Sequence, residues 1–129
     1  MVKKILVVDD EPHLAEMMGN RLRANRYEVA TAVTGREGLE KAKEEKPDLI
    51  LLDILMPDMD GYQMLQHLKG SPQTRDIPVI ILTVKKWNED TEKAIASGAV
   101  DYLTKPFSPV TLMEMVKRAL ENDKKNISR

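Results

Sequence analysis

The chain has 129 residues, 42% hydrophobic and 32% charged, which is the length of one domain with enough apolar side chains for a compact core. Its 20 basic and 21 acidic residues leave a formal net charge of -1, so bulk charge gives no reason to expect direct binding to nucleic acid or to an anionic membrane. There is no cysteine, which excludes disulfides, thiolate nucleophiles and cysteine-ligated metals.

The first apolar run covers residues 5–8 and is rich in β-branched side chains, which predicts a buried strand. Two lysines precede this run, as in a signal peptide, but the run is far too short and ends at Asp9 and Asp10. No stretch approaches the roughly 18 apolar residues that a membrane-spanning helix needs. We therefore expect a mature cytoplasmic chain.

Five segments show helical signals. Pro12 suits the first position of a helix that is expected to close at Asn25. Apolar residues spaced along one helical face predict what this helix buries: Leu14, Met17, Met18 and Leu22. The later helices are expected over residues 35–46, 61–69, 86–97 and from 109 onwards, with Ser108 as the N-cap of the last.

Strand signals alternate with these helices, over residues 28–32, 49–53, 79–83 and 99–104. Five strands alternating with five helices predict an α/β fold with a parallel sheet and helices on both faces. Right-handed crossovers favour the flavodoxin-like doubly wound sheet with strand order 2-1-3-4-5. One domain accounts for residues 1–121, and residues 122–129 are expected to form a polar tail or the start of a linker.

In that order, polar residues come at the carboxyl ends of four neighbouring strands: Asp9 and Asp10, Asp53, Thr83, and Lys105. An isolated Asp53 would most simply cap a turn, but three converging carboxylates repel one another unless a cation compensates. Mg²⁺ prefers oxygen ligands, and no Cys or spaced His pair offers a zinc site. An ionised Asp53 could attack phosphorus, with Thr83 and Lys105 meeting the phosphoryl oxygens.

Four motifs resemble those of the receiver domain of two-component response regulators, of the chemotaxis-regulator type. The first motif contains the acidic pair after the first strand, and the second contains Asp53 with Pro57 and Gly61. The third is the Ile-Leu-Thr that ends the fourth strand, and the fourth is the Asp-Tyr-Leu-Thr-Lys-Pro-Phe segment at residues 101–107. The resemblance extends from about Lys3 to Leu120, and the motifs have the family's order and spacing.

The resemblance implies that Asp53 accepts a phosphoryl group from a sensor histidine kinase or a phosphotransfer protein in a phosphorelay. Thr83 and Lys105 would hold the phosphoryl oxygens, and the Lys105–Pro106 bond would be cis. Such a chain is a signalling domain that catalyses its own phosphoryl transfer and slow dephosphorylation, and its output is binding rather than turnover.

For the metal, the resemblance implies that Asp10 and Asp53 ligate Mg²⁺ together with the backbone carbonyl of Leu55, while Asp9 acts through a metal-bound water. For the switch, it implies that Thr83 moves towards the phosphate and that Tyr102 then turns inward. This remodels the face made by the fourth helix, fifth strand and fifth helix, where an unidentified downstream partner or a second copy of the chain would bind.

Three residues are expected to tune the rates. Val84 stands where the family usually has a small residue and would narrow access to the phosphoryl site. Leu55 cannot orient water, and Lys85 could pair with the phosphate, so we expect a long-lived phosphorylated form.

Three other functions are less consistent with the sequence. A haloacid-dehalogenase-type phosphohydrolase needs Asp-x-Asp after its first strand, whereas residues 9–11 are Asp-Asp-Glu. A flavin-binding module needs a phosphate loop at the same place, and these acids would repel a phosphate. The third is a degenerate receiver that binds partners without phosphorylation, and the complete acidic set with Lys105 counts against it.

Overall fold

The computed structural model describes residues 2–56, 59–84 and 89–127, with no side chain described at residue 90 or after residue 121. The strands are β1 (Lys4–Val8), β2 (Glu28–Ala32), β3 (Leu49–Asp53), β4 (Val79–Thr83) and β5 (Asp101–Thr104). The helices are α1 (Pro12–Ala24), α2 (Gly35–Glu45), α3 (Gly61–Lys69), α4 (Glu89–Ala96) and α5 (Pro109–Ile127).

The five strands form one parallel sheet in the order β2-β1-β3-β4-β5, which confirms the predicted topology. β3 is central, and its Leu51 stands in register with Val7 of β1 and Ile80 of β4. All five residues of β3 are buried, because helices cover both faces of a doubly wound sheet. The uninterrupted apolar run before Asp53 is therefore a consequence of its place in the middle of the sheet.

Successive residues of β3 point into different halves of the core, as the two-residue repeat of a strand requires. Leu49 and Leu51 belong to a cluster that includes side chains of α1 and α5. Ile50 and Leu52 belong to a second cluster, which includes side chains of α2, α3 and α4. Both halves of the core thus meet on the strand that ends in Asp53.

The predicted buried face of α1 is wrong at Met17. The helix packs through Ala15, Met18 and Leu22, whereas Met17 is 67% exposed and Leu14 only half-buried. Residues 15, 18 and 22 are three and four positions apart and form one stripe, and Met17 lies about 100° of helical rotation from Met18.

The last helix begins where local capping predicts, and the boundaries of β5 and α5 differ from the expected ranges. The Thr111 N–H donates to Ser108 Oγ at 3.1 Å, as expected for the N-cap of α5. β5 begins at Asp101, two residues later than expected, and the expected first residues of α4, 86–88, lie outside the described residues. α5 continues to Ile127, so the residues expected to form a polar tail or the start of a linker begin as helix. The division of this tail from the domain at residue 121 stays a prediction.

Among the described residues, none of the helices has both the length and the apolar character required to cross a bilayer.

The first residue of α3 packs closely against the backbone at the end of β3. The Gly61 N–H donates to the Ile54 carbonyl at 2.8 Å. A Cβ placed on Gly61 would lie 2.6 Å from the Ile54 Cα and 2.9 Å from the Asp53 carbonyl oxygen. Only glycine permits this approach, because the atoms it meets are backbone atoms that cannot move aside.

We expect Gly61→Ala to lower the free energy of unfolding by about 1–3 kcal/mol, because the added methyl group must displace the backbone beside Asp53. Gly19→Ala is the matched control: it lies inside α1, and its nearest neighbour would be the end of the flexible Arg23 side chain at 3.3 Å. The control is expected to gain about 0.5–1 kcal/mol from helix propensity. Urea unfolding measures both variants, and a Gly61→Ala protein as stable as Gly19→Ala would contradict the close-packing argument.

Candidate functional site

The sheet brings polar side chains to one edge. Asp9 directly follows β1, Asp53 is the last residue of β3, and Thr83 is the last residue of β4. These three side chains are buried, with residue exposures of 0%, 6% and 4%, whereas Asp10 is exposed. Buried polar groups in such a position need partners, because burial removes their water.

Three carboxylates share this edge. One oxygen each from Asp9, Asp10 and Asp53 lie within 4.8 Å of one another. This all-oxygen donor set is the kind that Mg²⁺ prefers, and two of its members are held in place by burial. The exposed Asp10 leaves one side of the cluster open, which suits an ion that retains water and accepts phosphate oxygens. The residues present therefore fit a magnesium ion.

Among the described residues, the cation that faces these carboxylates is Lys105. Lys105 Nζ donates to Asp9 Oδ2 at 2.8 Å and lies 3.6 Å from Asp53 Oδ2. Its backbone N–H donates to the Thr83 carbonyl at 2.6 Å, and the Lys105–Pro106 peptide bond is cis. Because β3 and β4 stand between β1 and β5, the lysine side chain reaches across two strand ends to meet Asp9.

Backbone N–H groups orient the two buried carboxylates. Asp53 Oδ1 accepts a hydrogen bond from the Leu55 N–H at 3.2 Å, while its Oδ2 faces Lys105. Asp9 Oδ1 accepts from the Glu11 N–H at 3.0 Å. Each carboxylate is thus held on one oxygen by its own loop and approached on the other by the same ammonium.

Burial raises the pKa of the Asp53 carboxyl to about 6, even though the Lys105 ammonium and the Leu55 N–H act in the opposite direction. The negative charge of Asp9 and a hydrogen bond with Asp10 push the pKa of Asp53 further upward. The ionised form is therefore costly in the metal-free protein. Any added positive charge at this edge favours that form.

The other predicted site residues differ in their exposure to solvent. The side chains of Leu55 and Val84 are 59% and 61% exposed, so both lie at the surface after β3 and β4. Tyr102 is half-buried against the core half that contains α3 and α4. Lys85 and Pro57 lie outside the described residues.

The sequence analysis placed Asp9 and Lys105 at the same edge and missed their direct ion pair. It assigned Lys105 to phosphoryl oxygens and Asp9 to a metal-bound water. The opposite charges were a signal for the pair, but the two residues are 96 positions apart and follow non-adjacent strands. The contact is visible only in the structure, where the Lys105 side chain extends across the sheet edge to Asp9.

Comparison with known proteins identifies the family. The model of the response regulator receiver domain matches residues 5–117. PleD, a response regulator of Caulobacter vibrioides, is 42% identical over 117 residues, which are 91% of this chain and 26% of PleD. The phosphate regulon regulator PhoB of Escherichia coli is 40% identical over 120 residues, 93% of this chain and 52% of PhoB. The chain therefore spans about a quarter to a half of these relatives.

Solved structures agree in fold. The chemotaxis protein CheY4 of Vibrio cholerae superposes with a TM-score of 0.88 at 34% identity, covering 92% of this chain and 99% of CheY4. A CheY-like receiver domain from Methanospirillum hungatei gives a TM-score of 0.91 at 32% identity, covering 98% of this chain and 99% of the other. The chain belongs to the response regulator receiver domain family, whose members are phosphorylation-activated signalling domains of two-component systems.

The raised pKa of Asp53 predicts a pH-dependent gain in stability for Asp53→Asn. A folded-state pKa of about 6, against the ordinary 3.8, favours the folded state fully below pH 3.8, and this advantage is lost as pH rises through about 6. In metal-free buffer the variant should therefore be more stable than the wild type at pH 7, by up to about 3 kcal/mol, and the difference should shrink towards pH 4.

Urea unfolding in EDTA at several pH values measures this difference. Asp76→Asn, which removes an exposed carboxylate elsewhere, is the control and should show no such trend. Added Mg²⁺ should stabilise the wild type more than Asp53→Asn. A pH-independent difference between wild type and Asp53→Asn would mean that the buried charge is not the cause.

Proposed function

We propose that Asp53 is the phosphoacceptor of this receiver domain. The observation that carries the proposal is the buried Asp53 carboxylate, with two further carboxylates within 4.8 Å and the Lys105 ammonium 3.6 Å from Oδ2. A carboxylate at the end of a central parallel strand stands where doubly wound sheets carry their chemistry. Its partners are those that a phosphoryl transfer needs, because charge on the phosphoryl oxygens must be neutralised.

The proposed donor is a phosphohistidine of a sensor histidine kinase or a phosphotransfer protein. An Asp53 oxygen attacks the phosphorus, a P–O bond forms, and the P–N bond to the imidazole breaks. The electron pair of that bond stays on the ring nitrogen, and the product is an aspartyl phosphate. Lys105 and the hydroxyl of Thr83 are proposed to hold the phosphoryl oxygens, which requires Lys105 to exchange part of its contact with Asp9 for the phosphate.

Asp10 and Asp53 are the proposed direct ligands of Mg²⁺, with the Leu55 carbonyl as a third ligand and Asp9 acting through a bound water. When present, the ion would neutralise charge on the carboxylates and on the phosphoryl oxygens. Asp9 remains paired with Lys105 in the structure, so its proposed role is to position this cation as much as to attract the metal. The fit of the oxygen cluster and the use of Mg²⁺ in this family support the assignment.

The proposed output is a change of binding surface. Thr83 would turn its hydroxyl towards the phosphate, and Tyr102, half-buried on the neighbouring strand in register with Ile81, would move further inward. The face of α4, β5 and α5 would then bind a downstream partner, an effector domain or a second copy of the chain. The phosphorylation-independent alternative has less support, because the acidic cluster and Lys105 are assembled together.

The proposed activity is a signal relay with self-catalysed phosphoryl transfer and slow dephosphorylation. Its proposed location is the cytoplasm, because a histidine kinase draws its phosphoryl group from ATP. PhoB of Escherichia coli and PhoP of Bacillus subtilis are transcriptional regulators about twice as long as the match.

We expect acetyl phosphate with Mg²⁺ to add one phosphoryl group to the wild type and none to Asp53→Asn. Intact-mass measurement detects the adduct. Asp76→Asn is the matched control, since it removes an exposed carboxylate outside the site and should be labelled like the wild type. Equal adducts on wild type and Asp53→Asn would refute the assignment of Asp53, and EDTA should abolish labelling of the wild type.

We expect Leu55→Asn to shorten the lifetime of the phosphorylated form severalfold, because an amide at this exposed position can orient the attacking water. Lys85→Glu should act in the same direction by removing a cation that could pair with the phosphate. Decay of the adduct after removal of the donor, followed by intact mass, measures the lifetime.

Val100→Asn replaces another exposed apolar side chain, 53% accessible and at the opposite end of the sheet, and should leave the lifetime unchanged. If neither Leu55→Asn nor Lys85→Glu accelerates the decay, these two positions do not set the lifetime.

A further inference from the structure

One contact outside the acidic cluster joins two helices. The Lys93 ammonium of α4 lies over the aromatic ring of Tyr62 in α3, with Nζ 5.1 Å from the ring centroid. A cation within about 6 Å of the centroid is attracted by the negative face of the ring. The contact therefore holds α4 against the first turn of α3.

Within the part of α4 whose side chains are described, no charge partner explains the position of Lys93. Glu89 lies four residues before Lys93, the order in which glutamate and lysine attract each other best on a helix. Among the residues whose side chains are described, Lys93 nevertheless takes part in no ion pair. The ammonium lies over the ring of the neighbouring helix instead.

Tyr62 is connected to the phosphoacceptor strand through its own backbone. It directly follows Gly61, whose N–H donates to the Ile54 carbonyl and whose Cα lies against the backbone of Asp53 and Ile54. The ring itself is half-buried against the core half to which Ile54 belongs. A movement of the backbone beside Asp53 must therefore displace Tyr62.

Few of the described side chains of α4 are buried. The helix has eight residues, and within it Thr91 and Ala94 are buried while Ile95 is half-buried. An element that buries little apolar surface lies at the low end of local stability, where one modest contact changes its opening measurably. The contact with Tyr62 therefore helps to position this helix.

We infer that Lys93 and Tyr62 are a positioning pair that ties α4 to the backbone of the phosphoacceptor site. Through this pair, α4 responds to events at Asp53 by way of α3, in addition to the proposed route through Thr83 and Tyr102. The tie itself exists in the unphosphorylated protein. The response rests on the proposed function, because it requires phosphorylation of Asp53.

Hydrogen exchange of the unphosphorylated chain tests the tie. Lys93→Met removes the cation, Tyr62→Leu removes the ring, and Lys93→Arg keeps a cation that binds aromatic faces well. We expect the α4 amides to exchange about two- to fivefold faster in Lys93→Met and in Tyr62→Leu, the range typical of an exposed cation–ring contact. The double variant should be no faster than the faster single variant, and Lys93→Arg should match the wild type.

Lys117→Met controls for the loss of a surface charge, because Lys117 is exposed on α5. Its α4 amides should exchange at the wild-type rate. Exchange as fast in Lys93→Arg as in Lys93→Met, or fully multiplicative effects in the double variant, would overturn the tie. A merely structural role for the tyrosine ring would not produce rescue by arginine.

The response is tested by the same measurement after treatment with acetyl phosphate and Mg²⁺, at phosphoryl occupancy matched by intact mass. Phosphorylation should change α4 exchange less in Lys93→Met than in the wild type, because the tie is already absent. An equal change in both proteins at equal occupancy would refute the response and leave the tie intact. If no adduct forms on the wild type, the proposed function and the response both fail, while the experiment without phosphodonor still decides the tie.

Discussion

The burial of carboxylates at one edge of the sheet is the constraint on which this domain depends. Asp9 and Asp53 are buried, so their charges cannot rely on water, and the Lys105 ammonium meets both. This ammonium does not offset the burial, which raises the pKa of Asp53 to about 6. A site of this kind suits a divalent cation, which would favour the ionised form of Asp53.

The sheet stabilises this arrangement of charges. β3 lies between β1 and β4 with both faces covered, so its apolar residues stabilise a strand that ends in a destabilised carboxylate. The carboxyl ends of parallel strands also face a single edge, where backbone N–H groups of the following loops can bind the acids. Leu55 and Glu11 donate in this way to Asp53 and Asp9. The apolar residues of β3 thus stabilise the fold, whereas its last residue, Asp53, lies in the candidate site.

The proposed signal output requires that a charge change at Asp53 reaches a surface. Gly61 contacts the backbone at the end of β3 so closely that no side chain fits between them. The neighbouring Tyr62 contacts Lys93 of α4, a short helix of which few described side chains are buried. A small helix held by a few contacts can shift at low free-energy cost, which is what a two-state signalling surface needs.

The sequence by itself determined the alternation of strands and helices, the sheet order, and the placement of Asp9, Asp10, Asp53, Thr83 and Lys105 at one edge. Apolar periodicity and turn residues encode these features locally, and the handedness of crossovers supplies the rest. Only the tertiary structure decided that Met17 is exposed, that Lys105 reaches Asp9, that burial raises the pKa of Asp53 to about 6, and that Lys93 lies over the ring of Tyr62. Each of these depends on distances and burial between elements far apart in the chain, which local patterns do not encode.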